Sequence, residues 1–121
     1  MTQKFYWLII CIFLFPVMAE GADWVRVTEV DNFYLDVSSI KQVAPGQYQA
    51  WSKTEFKNDA SLKEARIHSL YHCAERKVKE LQGTLYYQDG SIHHEGARDW
   101  HHVIPGSVLA GALDFICTHK K

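Results

Sequence analysis

The sequence predicts an α+β domain in which strands joined by tight turns are followed by one C-terminal helix. Residues 24–30 (WVRVTEV) and 48–56 (YQAWSKTEF) alternate apolar and polar side chains, the period of a half-buried strand. Pro45-Gly46 and Asp89-Gly90 are turn signals set between β-prone runs. Beyond Pro105-Gly106-Ser107, apolar residues recur at helical spacing as far as Cys117. A helix with one apolar stripe, laid over one face of a sheet, gives a two-layer domain. With 121 residues, 47% of them hydrophobic, the chain holds one core and one domain.

The first element is an address. Lys4 lies in a short polar head, residues 5–15 (FYWLIICIFLF) are unbroken apolar sequence, Pro16 ends the run, and the small residue Ala19 follows. This is the pattern of a secretory signal peptide, and the run is well short of the ~20 apolar residues that a membrane span needs. Residues 1–19 are read as a signal peptide and residues 20–121 as the exported domain, with cleavage after Gly21 as the alternative. No transmembrane span remains after cleavage. Cys11 leaves with the signal; no cluster of small residues precedes it to mark a lipid attachment site.

In residues 24–30, Val25 and Val27 share one face, and Arg26 and Thr28 the other. Asp31-Asn32 is a turn pair, and Phe33-Tyr34-Leu35 returns as the second arm of a hairpin. Residues 36–40 (DVSSI) carry side chains that cap or turn the backbone. Residues 48–56 form a strand and 57–63 a polar loop. Residues 61–82 support two readings. Ile67, Leu70, Tyr71, Ala74, Val78 and Leu81 recur at helical intervals, with Ser61 and Glu64 at capping-box spacing and Gly83 as a stop. Residues 66–73 also read as a strand, with Ile67, Tyr71 and Cys73 on one face. Period alone leans to the helix.

Residues 84–88 are β-prone, Asp89-Gly90 turns the chain, and residues 91–94 return as a strand. Residues 96–100 are irregular. Ser107 is the expected N-cap of the final helix, whose buried face carries Leu109, Ala112, Leu113, Ile116 and Cys117. His119, Lys120 and Lys121 follow, where the helix dipole favours positive charge.

Charge and cysteine usage narrow the function. Thirteen Lys and Arg against fourteen Asp and Glu remove the basic footprint of a nucleic-acid binder. Without Lys4 the exported chain carries a net charge of −2. It retains Cys73 and Cys117, and in an oxidising compartment two such thiols are expected to close. Such a bridge closes a loop of about 45 residues, a constraint of roughly 4 kcal/mol. A catalytic thiol is the competing reading, but the pair lacks the C-x-x-C spacing that tunes redox cysteines. Cys117, on the apolar side of the last helical turn, is placed to staple that helix to the segment carrying Cys73.

Seven histidines stand out: His68, His72, His93, His94, His101, His102 and His119. A helix would set His68 and His72 one turn apart at a ligand spacing, but no H-E-x-x-H pattern is present. On strands, the members of each adjacent pair point opposite ways. The histidines read as surface groups, with a zinc- or copper-binding module as an alternative function and pH-dependent adhesion as a hypothesis. Arg76, Lys77 and Lys79, bracketed by Glu75 and Glu80, read as a solvated mixed-charge face. Trp24, Trp51 and Trp100 read as core. G-x-S-x-G, a Gly-rich phosphate loop and a defensible carboxylate pair are all lacking. No enzyme activity and no cofactor are expected, and the sequence assigns no ligand-binding residues.

The order of these pieces resembles the surface-adhesin protein E family of Gram-negative secreted proteins. The matching pieces are Trp24-Val25-Arg26-Val27, then residues 34–40 (YLDVSSI), Ala50-Trp51-Ser52-Lys53, residues 71–76 (YHCAER), residues 86–90, and Trp100 with residues 103–107 (VIPGS) before a helix ending in Cys117. The resemblance covers nearly the whole exported chain. It implies an antiparallel sheet of about six strands with the C-terminal helix packed across it, and a Cys73–Cys117 disulfide tying helix to sheet. It therefore decides residues 66–82 in favour of strands. It implies a non-enzymatic, extracytoplasmic adhesin that binds host matrix or serum proteins such as laminin, vitronectin or plasminogen and forms a homodimer. A periplasmic accessory protein with an envelope partner is the alternative role. The histidine richness departs from the family pattern and leaves the ligand open.

Overall fold

The computed structural model describes residues 22–28 and 32–119. The proposed signal segment, residues 29–31 of the first hairpin, and Lys120 and Lys121 lie outside the described residues. Strands β1 (Trp24–Arg26), β2 (Phe33–Asp36), β3 (Lys41–Ala44), β4 (Gln47–Glu55), β5 (Leu62–His72), β6 (Lys77–Tyr87), β7 (Ile92–Glu95) and β8 (His101–His102) build one antiparallel sheet. Helix α1 (Val108–His119) closes the chain. The eight segments occupy six rows. β2 and β3 lie end to end along β4, and β7 and β8 lie end to end along β6. The expected sheet of about six strands and the single C-terminal helix are both present.

Each interruption has a local cause. Between β2 and β3 the chain takes a 3-10 turn over Val37–Ser39, capped by Asp36. The Asp36 carboxylate accepts from the Ser38 and Asp23 backbone N–H groups and from the Ser38 hydroxyl. Gly46 (φ 70°) and Gly90 (φ 90°) turn the β3–β4 and β6–β7 hairpins, both in the left-handed region where a Cβ is strained. Strand β3 was not legible in the sequence; its run, KQVA, is short and mostly exposed.

The helical stripe of residues 61–82 gives way to two long strands. β5 and β6 pair from Leu62↔Tyr87 to His72↔Lys77, joined by a turn over residues 73–76 in which Arg76 takes a positive φ of 52°. The stripe was an accident of spacing. Ile67 and Tyr71 face the helix, Leu70 faces away, Ala74 sits exposed in the turn, and Leu81 lies where a bulge shifts the register. Gly83, expected as a helix stop, is inside β6 against Ile67.

The core lies between α1 and one face of the sheet. Tyr48, Ala50, Tyr71, Val78 and Leu35 meet Ala112, Leu113 and Ile116 of the helix. Leu113 and Ile116 are fully buried, each contributing roughly 1.5–3 kcal/mol of apolar transfer. Ser107 caps the helix as expected, its hydroxyl accepting from the Ala110 N–H at 3.2 Å. Gly111 lets α1 approach the end of the first hairpin, since a Cβ there would stand 2.8 Å from Thr28 Cγ2. The Cys73–Cys117 disulfide joins the β5–β6 turn to the last turn of α1 (Cα–Cα 5.8 Å). Beside it, Arg76 Nη1 donates to Asp114 at 2.8 Å, and the Arg76 carbonyl accepts from Val103 N–H. Together these ties lock the helix to one end of the sheet.

Candidate functional site

Because α1 covers one face, the alternate residues of each strand build a second face opposite it. The register sets those residues side by side in rows. Arg26, Tyr34, Lys53, Arg66, Thr84 and His94 follow one another across β1, β2, β4, β5, β6 and β7. Trp24, Trp51 and His68 lie in the row on one side, and Glu55, Glu64 and Tyr86 on the other. The result is a cationic row flanked by aromatic rings.

The rings hold the cations in place. Lys53 Nζ sits 4.8 Å from the Trp24 ring centroid and 5.2 Å from that of Tyr34. The Arg66 guanidinium lies 5.6 Å from Trp24 and 5.8 Å from Tyr86. Each ring face carries the negative part of the aromatic quadrupole, so these contacts are attractive and fix long side chains that would otherwise wander. Glu55 pairs with Lys53 at 3.6 Å, and Glu64 accepts from Arg66 Nε. Trp51 and His68 stack with centroids 4.8 Å apart, and partial burial holds the His68 imidazole below its ordinary pKa by disfavouring its charged form. A shallow groove of about 320 Å³ runs between Trp24, Trp51, Arg66 and Tyr86, with Asp36 and Thr84 on its walls.

This face corrects the core reading of the tryptophans. Trp24 and Trp51 are half-buried on the open face and Trp100 is exposed, 6.2 Å from the His72 ring. The interlayer space is instead filled by Tyr48 and Tyr71 of the sheet, packed against small and aliphatic side chains of the helix. The adjacent histidines point to opposite faces, as expected of strands. His93 and His101 lie on the α1 side, 3.2 Å from Glu95 and 3.0 Å from Glu80, whereas His94 and His102 share the open face with His68 and His72. Among the described residues no three His, Cys, Asp or Glu side chains come together as a metal-binding group. Lys77 of the basic cluster pairs with Glu75 at 3.2 Å, and Arg76 turns away to α1.

The alternation along each strand was visible in the sequence, so Trp51 with Lys53 and Arg66 with His68 could each be assigned to a shared side. Their convergence depends on inter-strand register, which no single run encodes.

On the other side of the sheet, an open cleft of about 1070 Å³ lies beyond the N-terminal end of α1, floored by Phe33, Ala65, Ile67 and Leu85. Among the described residues no helix is long and apolar enough to cross a membrane.

Comparison with known proteins agrees with this architecture. The structure of Haemophilus influenzae protein E in its second crystal form superposes with a TM-score of 0.61 at 16% identity, covering 83% of this chain and 89% of that one. The selenomethionine form of the same protein gives 0.59 at 17% identity over 82% and 87%. Protein E from non-typeable Haemophilus influenzae gives 0.56 at 16% identity over 82% and 76%. At these identities the likeness is one of fold. No curated protein sequence matches the chain. The family model for surface-adhesin protein E matches residues 24–118, from the first strand through the disulfide-bonded last turn of α1, and the chain therefore belongs to the surface-adhesin protein E family.

Proposed function

We propose that this protein is an exported, non-enzymatic adhesin that binds host matrix or serum proteins at the bacterial surface through the open face of its sheet. The observation that carries the reading is the row of ring-held cations at Lys53 and Arg66 among Trp24, Tyr34, Trp51 and Tyr86. Trp, Tyr and Arg are the residues that dominate binding energy at protein interfaces, where rigid, partly desolvated groups lose little entropy on association. Family membership supports an extracytoplasmic location and an adhesive role. Cleavage of residues 1–19 to release residues 20–121 belongs to the same proposal, as does a homodimer; β1 and β7, the two end strands of the sheet, offer edges for pairing.

The test is binding of the disulfide-intact exported protein to immobilised laminin, vitronectin and plasminogen, alongside surface labelling of intact cells. The proposal expects label on intact cells and saturable binding to at least one of the three, weakened tenfold or more by Trp51→Ala, about 1.4 kcal/mol or more. Protection of the protein from label until the outer membrane is opened would place its partner in the envelope instead. Equal binding by wild type and Trp51→Ala would remove the open face from the account.

A further inference from the structure

We propose that the open sheet face is an anion-recognition surface for a sulfated or carboxylated saccharide chain. The inference rests on the open face being the adhesive surface, and it names the chemistry recognised there. Its first support is charge segregation. The chain as a whole is close to neutral. Yet strand register puts Arg26, Lys41, Lys53, Arg66, Lys77 and Lys79 on the open face, against the strand carboxylates Asp36, Glu55 and Glu64 and the turn carboxylate Glu75, which pairs with Lys77. Asp36, on the groove wall, is buried, and its Oδ1 is engaged by the Asp23 and Ser38 N–H groups and the Ser38 hydroxyl. Glu80, Glu95 and Asp114 fall on the α1 side, where they pair with His101, Arg98 and Arg76. A near-neutral molecule thus presents one cationic face.

The second support is preorganisation. Glu64 engages only Nε of Arg66; the terminal nitrogens of that guanidinium make no protein hydrogen bond among the described residues, and the side chain is 44% exposed. Trp24 and Tyr86 flank it. A guanidinium fixed between two rings with its terminal fork open is built for bidentate contact with a planar carboxylate or a sulfate oxygen pair. The neighbouring Lys53 is pinned in the same way but is only 14% exposed and paired with Glu55, so Arg66 is the ring-held cation whose head group an anionic chain meets with its rotamer entropy already lost.

Other polyanions fit less well. Single-stranded nucleic acid binds by stacking bases on clear aromatic faces, and here Trp24 faces Lys53 and Arg66 while Trp51 faces His68. A membrane surface calls for a cluster of protruding apolar anchors, and here the exposed Ile92 beside Tyr86 and the exposed Trp100 against His72 stand at opposite ends of β5 and β6 rather than together.

The experiment measures binding of the disulfide-intact exported protein to immobilised heparin, hyaluronan and neutral dextran at low and high salt, with single-stranded DNA and anionic lipid vesicles in parallel. The inference expects binding to heparin, to hyaluronan or to both, none to dextran, and loss as salt shortens the Debye length from about 10 Å toward about 3 Å. Heparin alone identifies a sulfated ligand; hyaluronan as well identifies carboxylate recognition. Arg66→Gln and the double variant Lys41→Gln/Lys79→Gln should each weaken binding about tenfold, while Arg98→Gln on the α1 side should leave it unchanged. Binding to laminin, vitronectin or plasminogen with no binding to either glycan overturns this inference and leaves the adhesin reading standing. Tighter binding to DNA or vesicles than to both glycans also overturns it. Loss of every interaction overturns both.

Discussion

The disulfide is the place to test how α1 is held. Replacing both Cys73 and Cys117 with serine removes the bridge without leaving a reactive thiol. The two half-cystines are separated by 44 residues, and a loop of that length restrains the unfolded chain by roughly 4 kcal/mol. The other ties at this end are weaker. The Arg76–Asp114 ion pair is exposed on both sides (47% and 61%), a setting in which such pairs contribute about 0–1 kcal/mol. The double variant should therefore lose about 4 kcal/mol of unfolding free energy, which for a domain of ~100 residues lowers Tm by about 15–20 °C. Thermal melts followed by far-ultraviolet circular dichroism, with and without reductant, read this directly. Reduced wild type should match the double variant, and reductant should leave the double variant unchanged. A loss below about 1 kcal/mol would refute the reasoning, because it would mean that apolar burial of Leu113 and Ile116 fixes the helix by itself.

Three further outcomes follow from the packing. Gly111→Ala gains about 1 kcal/mol of helix propensity but meets Thr28 Cγ2, and overpacking of 1–3 kcal/mol should leave the variant about 1 kcal/mol less stable; in a Thr28→Ala background the same change should stabilise, which a double-mutant cycle by urea denaturation detects. The Tyr71 hydroxyl is fully buried with the Ser69 side chain beside it but in no well-formed hydrogen bond among the described residues, and burial raises its ionisation far above the usual range; Tyr71→Phe should fold with stability within about 1 kcal/mol of wild type or above it, where a loss of 2 kcal/mol or more would show that Ser69 bonds that oxygen. Burial depresses the His68 pKa in the folded state, so the unfolded chain takes up the proton first as pH falls through about 6.5 and stability declines below that value; His68→Gln should flatten this part of a Tm-against-pH curve, and an unchanged slope would assign the decline to other groups.

Much of the fold was legible because its signals are local. Ser107 after Pro105-Gly106 marked the start of α1, Asp89-Gly90 fixed the β6–β7 hairpin, and period two identified β4. Residues 61–82 were not decidable from period. Strand faces at Ile67, Tyr71 and Val78 coincide with helical spacing, and the turn over residues 73–76 shifts the phase between the two strands. Only the family resemblance resolved that segment. The open face was hidden for a different reason. Trp24, Lys53, Arg66 and Tyr86 are far apart in sequence and come together only through the register of five strands. Assigning the tryptophans to the core followed from their size, whereas their partners here are cations and a histidine at the surface.

The proposed adhesive role requires that the ligand be met on the open face of the sheet rather than on the α1 side. Hydroxyl-radical footprinting of the disulfide-intact protein, free and bound to whichever matrix or serum protein it engages, measures this side chain by side chain. Protection of Trp24, Tyr34, Trp51 and Tyr86, with Leu109 and Phe115 of α1 unchanged, is the expected result. Protection confined to α1 and the cleft beside it, with those four rings as reactive as in the free protein, would contradict the account.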